Sequence, residues 1–251
     1  MATRGSDGLR SVSAALELLN CVGSDAELGP SEIARRLDIA KSTAHRLLST
    51  LCAKGFVDQD PDTGRYRLGL HVYELGHQAG NRLRLRQAAF PMLRALRERT
   101  GCSVHLAVPY GHEVFYLERL ETDEGLRWFQ ATPWRQPVHC TSTGKAIAAF
   151  DPASARARYR AGFPVLTKLS IRSAAHFERE LRTVTSNGYA VNCEEAALGW
   201  YSVAAPVLDR SGRARAAVSI VAPARQGYER ILRHAPLTGS TADRLAAELG
   251  I

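Results

Sequence analysis

The sequence predicts an α+β protein in two parts. A small helical module ending in a basic hairpin precedes a larger block of hairpin-paired strands with helices between them. Three observations carry this. Between Pro30 and Leu51, two apolar stripes at helical spacing are separated by a three-residue break. From residue 103 the hydrophobic period changes from that of a helix to that of a strand. Asp60-Pro61-Asp62-Thr63-Gly64 and Asp209-Arg210-Ser211-Gly212 are turn sequences flanked by strand-like runs.

Residues 9–22 read as a first helix with Val12, Leu16 and Leu19 on one side and Ala15 beside them, closed by a turn at Gly23-Ser24-Asp25. Ile33 and Leu37, four apart, share a face of the second helix, and Ser31 is placed to cap it. After the break Asp38-Ile39-Ala40, a third helix buries Ala44, Leu47, Leu48 and Leu51. Its outer face carries Ser42, His45, Arg46, Ser49 and Thr50, with Lys41 and Thr43 at its start, all hydrogen-bonding and none acidic. Taken alone, such a face is an ordinary solvated surface. The next segment changes its meaning. Gly55 closes the helix, Phe56-Val57-Asp58 is a strand, and Arg65-Tyr66-Arg67-Leu68 returns after the turn. A basic-tipped hairpin directly after such a helix is a wing, from which Arg65 or Arg67 reaches phosphate or the minor groove.

Leu70 to roughly Leu85 reads as a connecting helix, and Ala88 to Arg99 as an amphipathic one with Met92, Leu93 and Leu96 inward. Val104, Leu106 and Val108 alternate with Ser103, His105 and Ala107, the pattern of a half-buried strand. The chain turns at Pro109-Tyr110-Gly111-His112 and returns through Val114-Phe115-Tyr116-Leu117, and Arg127-Trp128-Phe129-Gln130-Ala131 reads as a further strand. Ser142 opens a helix, Phe177 to Val184 is helical with Asn187-Gly188 as its stop, and Tyr189–Val191, Tyr201–Leu208 and Ala214–Val221 are strands. A helix with Leu245 and Leu249 ends the sequence.

At 251 residues, with 45% hydrophobic and 23% charged residues, the composition is that of an ordinary globular protein with room for two domains. No apolar run approaches the roughly 20 residues that span a bilayer, and Met1 to Gly8 lacks the apolar core of a signal peptide, so a cytoplasmic protein is expected. The net charge of +8 is uneven: residues 1–70 hold nine basic and nine acidic side chains, while residues 35–54 hold five basic ones against Asp38 alone. The local excess, not the global one, points to nucleic acid. Five scattered cysteines at no metal-ligand spacing argue for reduced thiols and no metal site.

Two motifs resemble catalytic chemistry. Thr143-Gly144-Lys145-Ala146 is similar to the end of a phosphate loop but lacks its upstream glycine and strand. His139-Cys140 and Cys193-Glu194-Glu195 hold a nucleophile, a base and carboxylates without an evident geometric partner. The sequence therefore reads as a non-enzyme without a cofactor.

Four separate motifs, in order, resemble the IclR family of bacterial transcriptional regulators: Leu37 to Leu48 with Gly64-Arg65-Tyr66-Arg67-Leu68-Gly69, Val138 to Ala146, Gly188 to Glu195, and Val203 to Gly212. The resemblance implies a winged helix-turn-helix at residues 6–70, a linker helix at 71–86 and a GAF-like effector-binding domain at 87–251. It implies a homodimer or dimer of dimers on a palindromic double-stranded operator, modulated by a small-molecule effector. Ser31, Lys41, Ser42, Thr43, His45, Arg46, Ser49, Thr50 and Arg65 would contact DNA; Ser142, Thr143, Gly144, Asn192, Trp200, Ser202, Ser219 and Val221 would line the effector pocket. A constitutive regulator without ligand, or a small-molecule enzyme, are the alternatives.

The sequence departs from the family pattern where the pocket should lie. Asn192 replaces a frequent aspartate, Ser202 a frequent cysteine, and Val221-Ala222-Pro223 the usual Ser-Gly-Pro, while Ser219 is kept. With Trp134 and Trp200 nearby, the expected pocket does not repel an anion and suits a small organic acid or an aromatic compound.

Overall fold

The structure is a computed structural model that describes residues 9–23, 27–81, 83–129 and 132–251. The chain divides into two compact units, residues 1–82 and 83–251. The first holds helices α1 (Arg10–Gly23), α2 (Pro30–Arg36) and α3 (Lys41–Ala53), the hairpin β1 (Val57–Gln59) and β2 (Tyr66–Leu68), and helix α4 (Leu70–Asn81).

Its core is Leu18, Val22, Leu28, Ile33, Leu48, Val57 and Tyr66. The face of α1 that turns inward therefore carries Leu18 and Val22, whereas Val12 and Leu16 are about half exposed. Helix α1 is apolar on two sides, so its periodicity alone does not select the buried one. Ser31 does not cap α2: Gly29 is the N-cap, Pro30 occupies the first turn, and no side chain accepts the free N–H groups. The expected turn at Gly23-Ser24-Asp25 lies outside the described residues beyond Gly23, the last residue of α1.

The wing is tied to the helices by backbone. Leu28 exchanges N–H···O bonds with Tyr66 at 2.8 and 3.0 Å, adding a bridge to β2. Gly55 follows α3 at φ +73°, and the Gly69 N–H donates to the Phe56 carbonyl at 2.9 Å. A Cβ on Gly69 would lie 2.2 Å from the Gly55 carbonyl oxygen, so the hairpin closes only over a glycine there. Helix α4 ends at Asn81, and Leu83 is extended before the next helix. The connecting helix is thus shorter than the sequence suggests, because Gly80-Asn81 are both poor helix formers.

The second unit begins with α5 (Arg84–Thr100) and contains one six-stranded antiparallel sheet in the order β5-β4-β3-β8-β7-β6. Its strands are β3 (Ser103–Tyr110), β4 (Glu113–Leu120), β5 (Arg135–Pro137), β6 (Ala190–Cys193), β7 (Trp200–Leu208) and β8 (Ala214–Pro223). The helices are α6 (Asp123–Phe129), α7 (Ser142–Phe150), α8 (Pro152–Ala161), α9 (Ala174–Asn187), α10 (Tyr228–Leu232) and α11 (Ala235–Leu249). Helices α5 and α11 cover one face through Leu93, Leu96, Ala242 and Leu245; α7 and α9 cover the other through Ala146, Ile147, Phe177 and Val184. Strand β3 is consequently buried on both sides, His105 and Ser103 included, and not half-buried as its alternation suggests.

Arg127 to Phe129 is helical, correcting the strand reading; Gln130 and Ala131 lie outside the described residues. The Thr122 hydroxyl accepts the Gly125 N–H, and Asp123-Glu124 occupy the first turn of α6. Such capping favours a helix over the β-leaning composition of the segment.

Replacing Leu48, wholly buried in the first core, by alanine should cost on the order of 2–5 kcal/mol. All three tryptophans lie beyond residue 82. The expected result of Leu48→Ala is an earlier loss of helical circular dichroism with little change in the tryptophan-fluorescence transition. Coincident downward shifts of both would contradict separate cores.

Candidate functional site

Helix α3 sinks Ala44 and Leu48 into the first core and leaves Lys41, Ser42, Thr43, His45, Arg46, Ser49 and Thr50 exposed. Ser31 on α2 is exposed too. The outer residues form two rows at i, i+3, i+7 spacing, Ser42/His45/Ser49 and Thr43/Arg46/Thr50. The second row borders a groove of about 770 Å³ between α1 and α3, whose apolar lining includes Val12, Leu16, Leu19, Leu47, Leu51 and Phe56. Arg65 on the wing is exposed but folded back: its guanidinium donates to the Glu27 carbonyl at 2.9 Å and lies 3.8 Å from the Glu32 carboxylate. Arg67 lies 3.7 Å from Glu27.

In the second unit the sheet face under α7 is not covered along its whole length. Beyond the N-terminus of α7 a cavity of about 580 Å³ opens, and every strand contributes to its wall. Of the residues singled out from the sequence, Ser142, Asn192, Trp200, Ser202, Ser219 and Val221 line it. Thr143 and Gly144 do not. Thr143 is buried beside Tyr116, hydroxyl to hydroxyl at 3.3 Å. The Gly144 N–H donates to the N-cap Thr141, and a Cβ there would lie 2.3 Å from the Val138 carbonyl oxygen. Gly144 is thus required by the contact of α7 with the preceding 3-10 turn, Val138–Cys140.

Two of the lining polar groups are already engaged. Asn192 donates to the Cys140 carbonyl at 2.6 Å and accepts the Glu195 N–H at 3.0 Å. An aspartate could not make the first bond while ionised, which accounts for the amide at this position. The Ser142 and Ser202 hydroxyls are 2.7 Å apart, joining α7 to β7.

The sequence reading missed the opposite wall, Tyr116, Arg119, Thr132, Pro133, Arg135 and Gln136, with His105 at the floor and Glu113 also in the lining. Arg119 stands over two aromatic rings, 4.5 Å from the Tyr116 centroid and 4.8 Å from that of Trp134. His105 meets the Glu121 carboxylate at 2.8 Å, and both are buried. Burial alone would raise the Glu121 carboxyl; its bond and charge interaction with His105 hold it below the ordinary value. The signal available in the sequence was the run Tyr116-Leu117-Glu118-Arg119, whose charges looked like a solvated strand end.

Lys145, wholly buried on α7, bonds to Glu195 at 2.7 and 3.0 Å and to Glu180 at 3.1 Å. Burial opposes its charge, but Glu195 and then Glu180 hold the ammonium above its ordinary value. Lysine here is a structural cation, not a phosphate ligand. Cys140 is buried and its thiol is pushed up to about 11, chiefly by desolvation. His139 Nε2 donates to the Pro164 carbonyl at 3.0 Å. These two do not form an activated nucleophile and its base. Among the described residues no group of three or more His, Cys, Asp or Glu side chains is placed to hold a metal, and no helix is long and apolar enough to cross a membrane.

Two family models match the chain: the IclR helix-turn-helix domain over residues 11–61, and the bacterial transcriptional regulator IclR C-terminal domain over residues 77–238. The HTH-type transcriptional regulator BhcR of Paracoccus denitrificans is 32% identical over 89% of this chain and 81% of its own. The glycerol operon regulatory protein of Streptomyces griseus is 34% identical over 88% and 86%. An IclR homolog from Microbacterium hydrocarbonoxydans, solved in complex with 4-hydroxybenzoate, superposes with a TM-score of 0.81 at 25% identity, covering 95% of this chain and 99% of that one.

His139 is neutral in the fold: burial first, then the charges of Arg158 and Lys145, push its pKa down from 6.5 to about 4. The unfolded chain therefore takes up a proton below pH 6.5 that the folded chain refuses until about pH 4. Stability should fall as pH is lowered across that window, by up to roughly 3 kcal/mol. Denaturant melts from pH 7 to pH 4 should show the fall in wild type and a shallower one in His139→Gln.

Proposed function

This chain belongs to the IclR family of bacterial transcriptional regulators, and we propose that it reads a palindromic operator as a homodimer or dimer of dimers whose occupancy is set by an organic or aromatic acid in the second-unit cavity. It is a sequence-specific DNA-binding regulator with an effector-binding domain, not an enzyme. In this reading residues 6–70 are the DNA-binding module, 71–86 the linker and 87–251 the effector domain, working in the cytosol where the operator is.

The observation that carries the DNA half is α3. It buries one face completely and presents on the other seven polar side chains with no acid among them. Ser42, Thr43, His45 and Arg46 are placed to meet base edges, and Lys41, Ser49, Thr50 and Ser31 to meet phosphates. Arg65 would have to leave the Glu27 carbonyl to reach DNA, and a phosphate is a stronger acceptor than that carbonyl.

The effector half rests on the cavity. Its volume falls in the range of small-molecule sites, its walls are mostly apolar, and Ser142, Ser202 and Ser219 supply hydroxyls. The effector shifts the population between arrangements of the DNA-binding modules to the extent that it binds one of them better. The relative solved with 4-hydroxybenzoate supports an aromatic acid as the class of ligand.

Dimerisation is supported by apolar surface in the first unit. Leu9, Val12 and Leu16 are exposed along α1 beside the groove, and Leu70, Tyr73 and Leu75 are exposed on α4. Two copies can bury both patches across a two-fold axis, which a palindromic site requires.

Losing a good base contact costs roughly 1–3 kcal/mol. Arg46→Ala should therefore abolish operator retardation in a gel shift at concentrations where wild type is saturated, with mass and melting temperature unchanged. Normal retardation would remove Arg46 from the interface. In light scattering at micromolar concentration, Leu16→Asp with Tyr73→Asp should turn a dimeric or larger mass into a monomeric one and weaken operator binding together with it. A monomeric wild type with full operator affinity would refute the assembly.

A further inference from the structure

Arg119 is the cavity residue whose bonding is least explained by the fold. Its two terminal nitrogens donate to the carbonyls of Thr132, at 3.0 Å, and Pro133. These bonds fix the plane of the guanidinium and pin the segment that leads into β5. Its Nε is buried and has no hydrogen-bond partner among the described residues. A buried N–H without an acceptor costs about 1–3 kcal/mol, so a donor left in this state beside an open cavity is poised for an acceptor from outside.

The surroundings say what kind. The rings of Tyr116 and Trp134 flank the guanidinium carbon, so the approach to Nε passes aromatic faces. Arg135 also lines the cavity, and its guanidinium carbon lies 5.3 Å from the Tyr110 ring centroid. The acid in the lining, Glu113, acts electrostatically on the buried Arg158. Asn192 is engaged by the Cys140 carbonyl and the Glu195 N–H, and the Gly144 N–H of the first turn of α7 is taken by Thr141. A full positive charge with a free N–H therefore stands only on the β4 side of the pocket. Ser219 lies two strands away on β8, roughly 10 Å at about 4.8 Å per strand, which leaves room for one aromatic ring between them.

Resting on the cavity being the effector site, we propose that Arg119 is the specificity-determining residue of that site. It accepts a planar carboxylate side-on through Nε–H and a neighbouring amine hydrogen, with the ligand ring against Tyr116 and Trp134 and a second polar group directed to Ser219. The regulator then selects aromatic carboxylates over their neutral isosteres, and the charge on the ligand, not its ring alone, sets affinity.

The test uses the full-length protein and isothermal titration with four probes: 4-hydroxybenzoate, 4-hydroxycinnamate, and the primary amide of each. Wild type should bind at least one acid tenfold or more tightly than its amide. Arg119→Gln should lose at least tenfold for that acid and nothing for the amide, and Arg119→Lys should recover part of the loss, since it restores charge without the planar fork. Circular dichroism melts of both variants check that the fold survives the loss of the Thr132 and Pro133 bonds. Equal affinity for acid and amide in wild type, or an acid that binds Arg119→Gln as it binds wild type, overturns the assignment.

Ser219→Val separates this inference from the reading it rests on. If Ser219→Val weakens binding while Arg119→Gln does not, the cavity is the site and Arg119 alone is wrong. If an acid binds and neither variant changes its affinity, both fall. If no acid binds folded wild type but a neutral metabolite does, and Ser219→Val weakens that binding, the carboxylate class is overturned and the cavity stands.

Discussion

The second unit depends on one buried cation. Lys145 projects from α7 into a region from which water is excluded, where its charge would be untenable without Glu195 and Glu180. The pair joins three elements that have no other reason to stay in register: α7, α9 and the loop from Glu194 to Gly199. That loop is pinned further, because Thr167 and Ser170 donate their hydroxyls to the Glu194 and Glu195 carbonyls. Ala196 and Ala197, the next residues, form part of the cavity wall. Removing one member of a buried pair costs about 3–5 kcal/mol, so the wall is held by an interaction comparable in size to a fair fraction of domain stability. Asn192 acts at the same junction by clasping the Cys140 carbonyl to the Glu195 N–H. The fixed wall of the cavity is thus built by electrostatics and hydrogen bonds, and its apolar surface is draped over them.

Much of this fold was legible. The β7–β8 hairpin follows from Asp209-Arg210-Ser211-Gly212 between two apolar runs, and the structure keeps that turn by having Asp209 accept the Ser211 and Arg213 N–H groups. Helix α3 was equally plain, because Ala44 and Leu48 recur at one helical repeat and Gly55 stops the chain. Three things were not. Helix α1 has two apolar sides, and only tertiary packing chooses between them. Helix α6 is set by the cap at Thr122, upstream of the residues whose composition suggested a strand. Gly144 looked like a ligand loop because glycine signals close approach, but the approaching group is the backbone of Val138.

The cavity was legible by half, and the division is physical. Ser142, Asn192, Trp200, Ser202, Ser219 and Val221 sit in motifs whose family pattern names them, and alternation on β7 and β8 places them on one face. The wall formed by β4 follows a different rule. The β3–β4 register shifts between Leu106 and Ala107, so that Ala107 pairs with Tyr116 while Leu106 pairs with Glu118 and His105 with Arg119. Leu117 is the extra residue. A strand read with strict period two puts Tyr116 and Arg119 on opposite faces; the bulge brings them to the same one.

This irregularity bears on how the family diversifies its ligands. Because the side-chain period of a strand is two, deleting the bulged residue would rotate every later position of β4 by half a turn. Arg119 would then point into the apolar layer under α5 and α11, and Leu120 into the cavity. Insertions and deletions along this strand are therefore closed to drift, and new ligand preferences must arise by replacing side chains at fixed positions. Homologous regulators with unrelated effectors should keep the length of β4 while varying the residue at position 119.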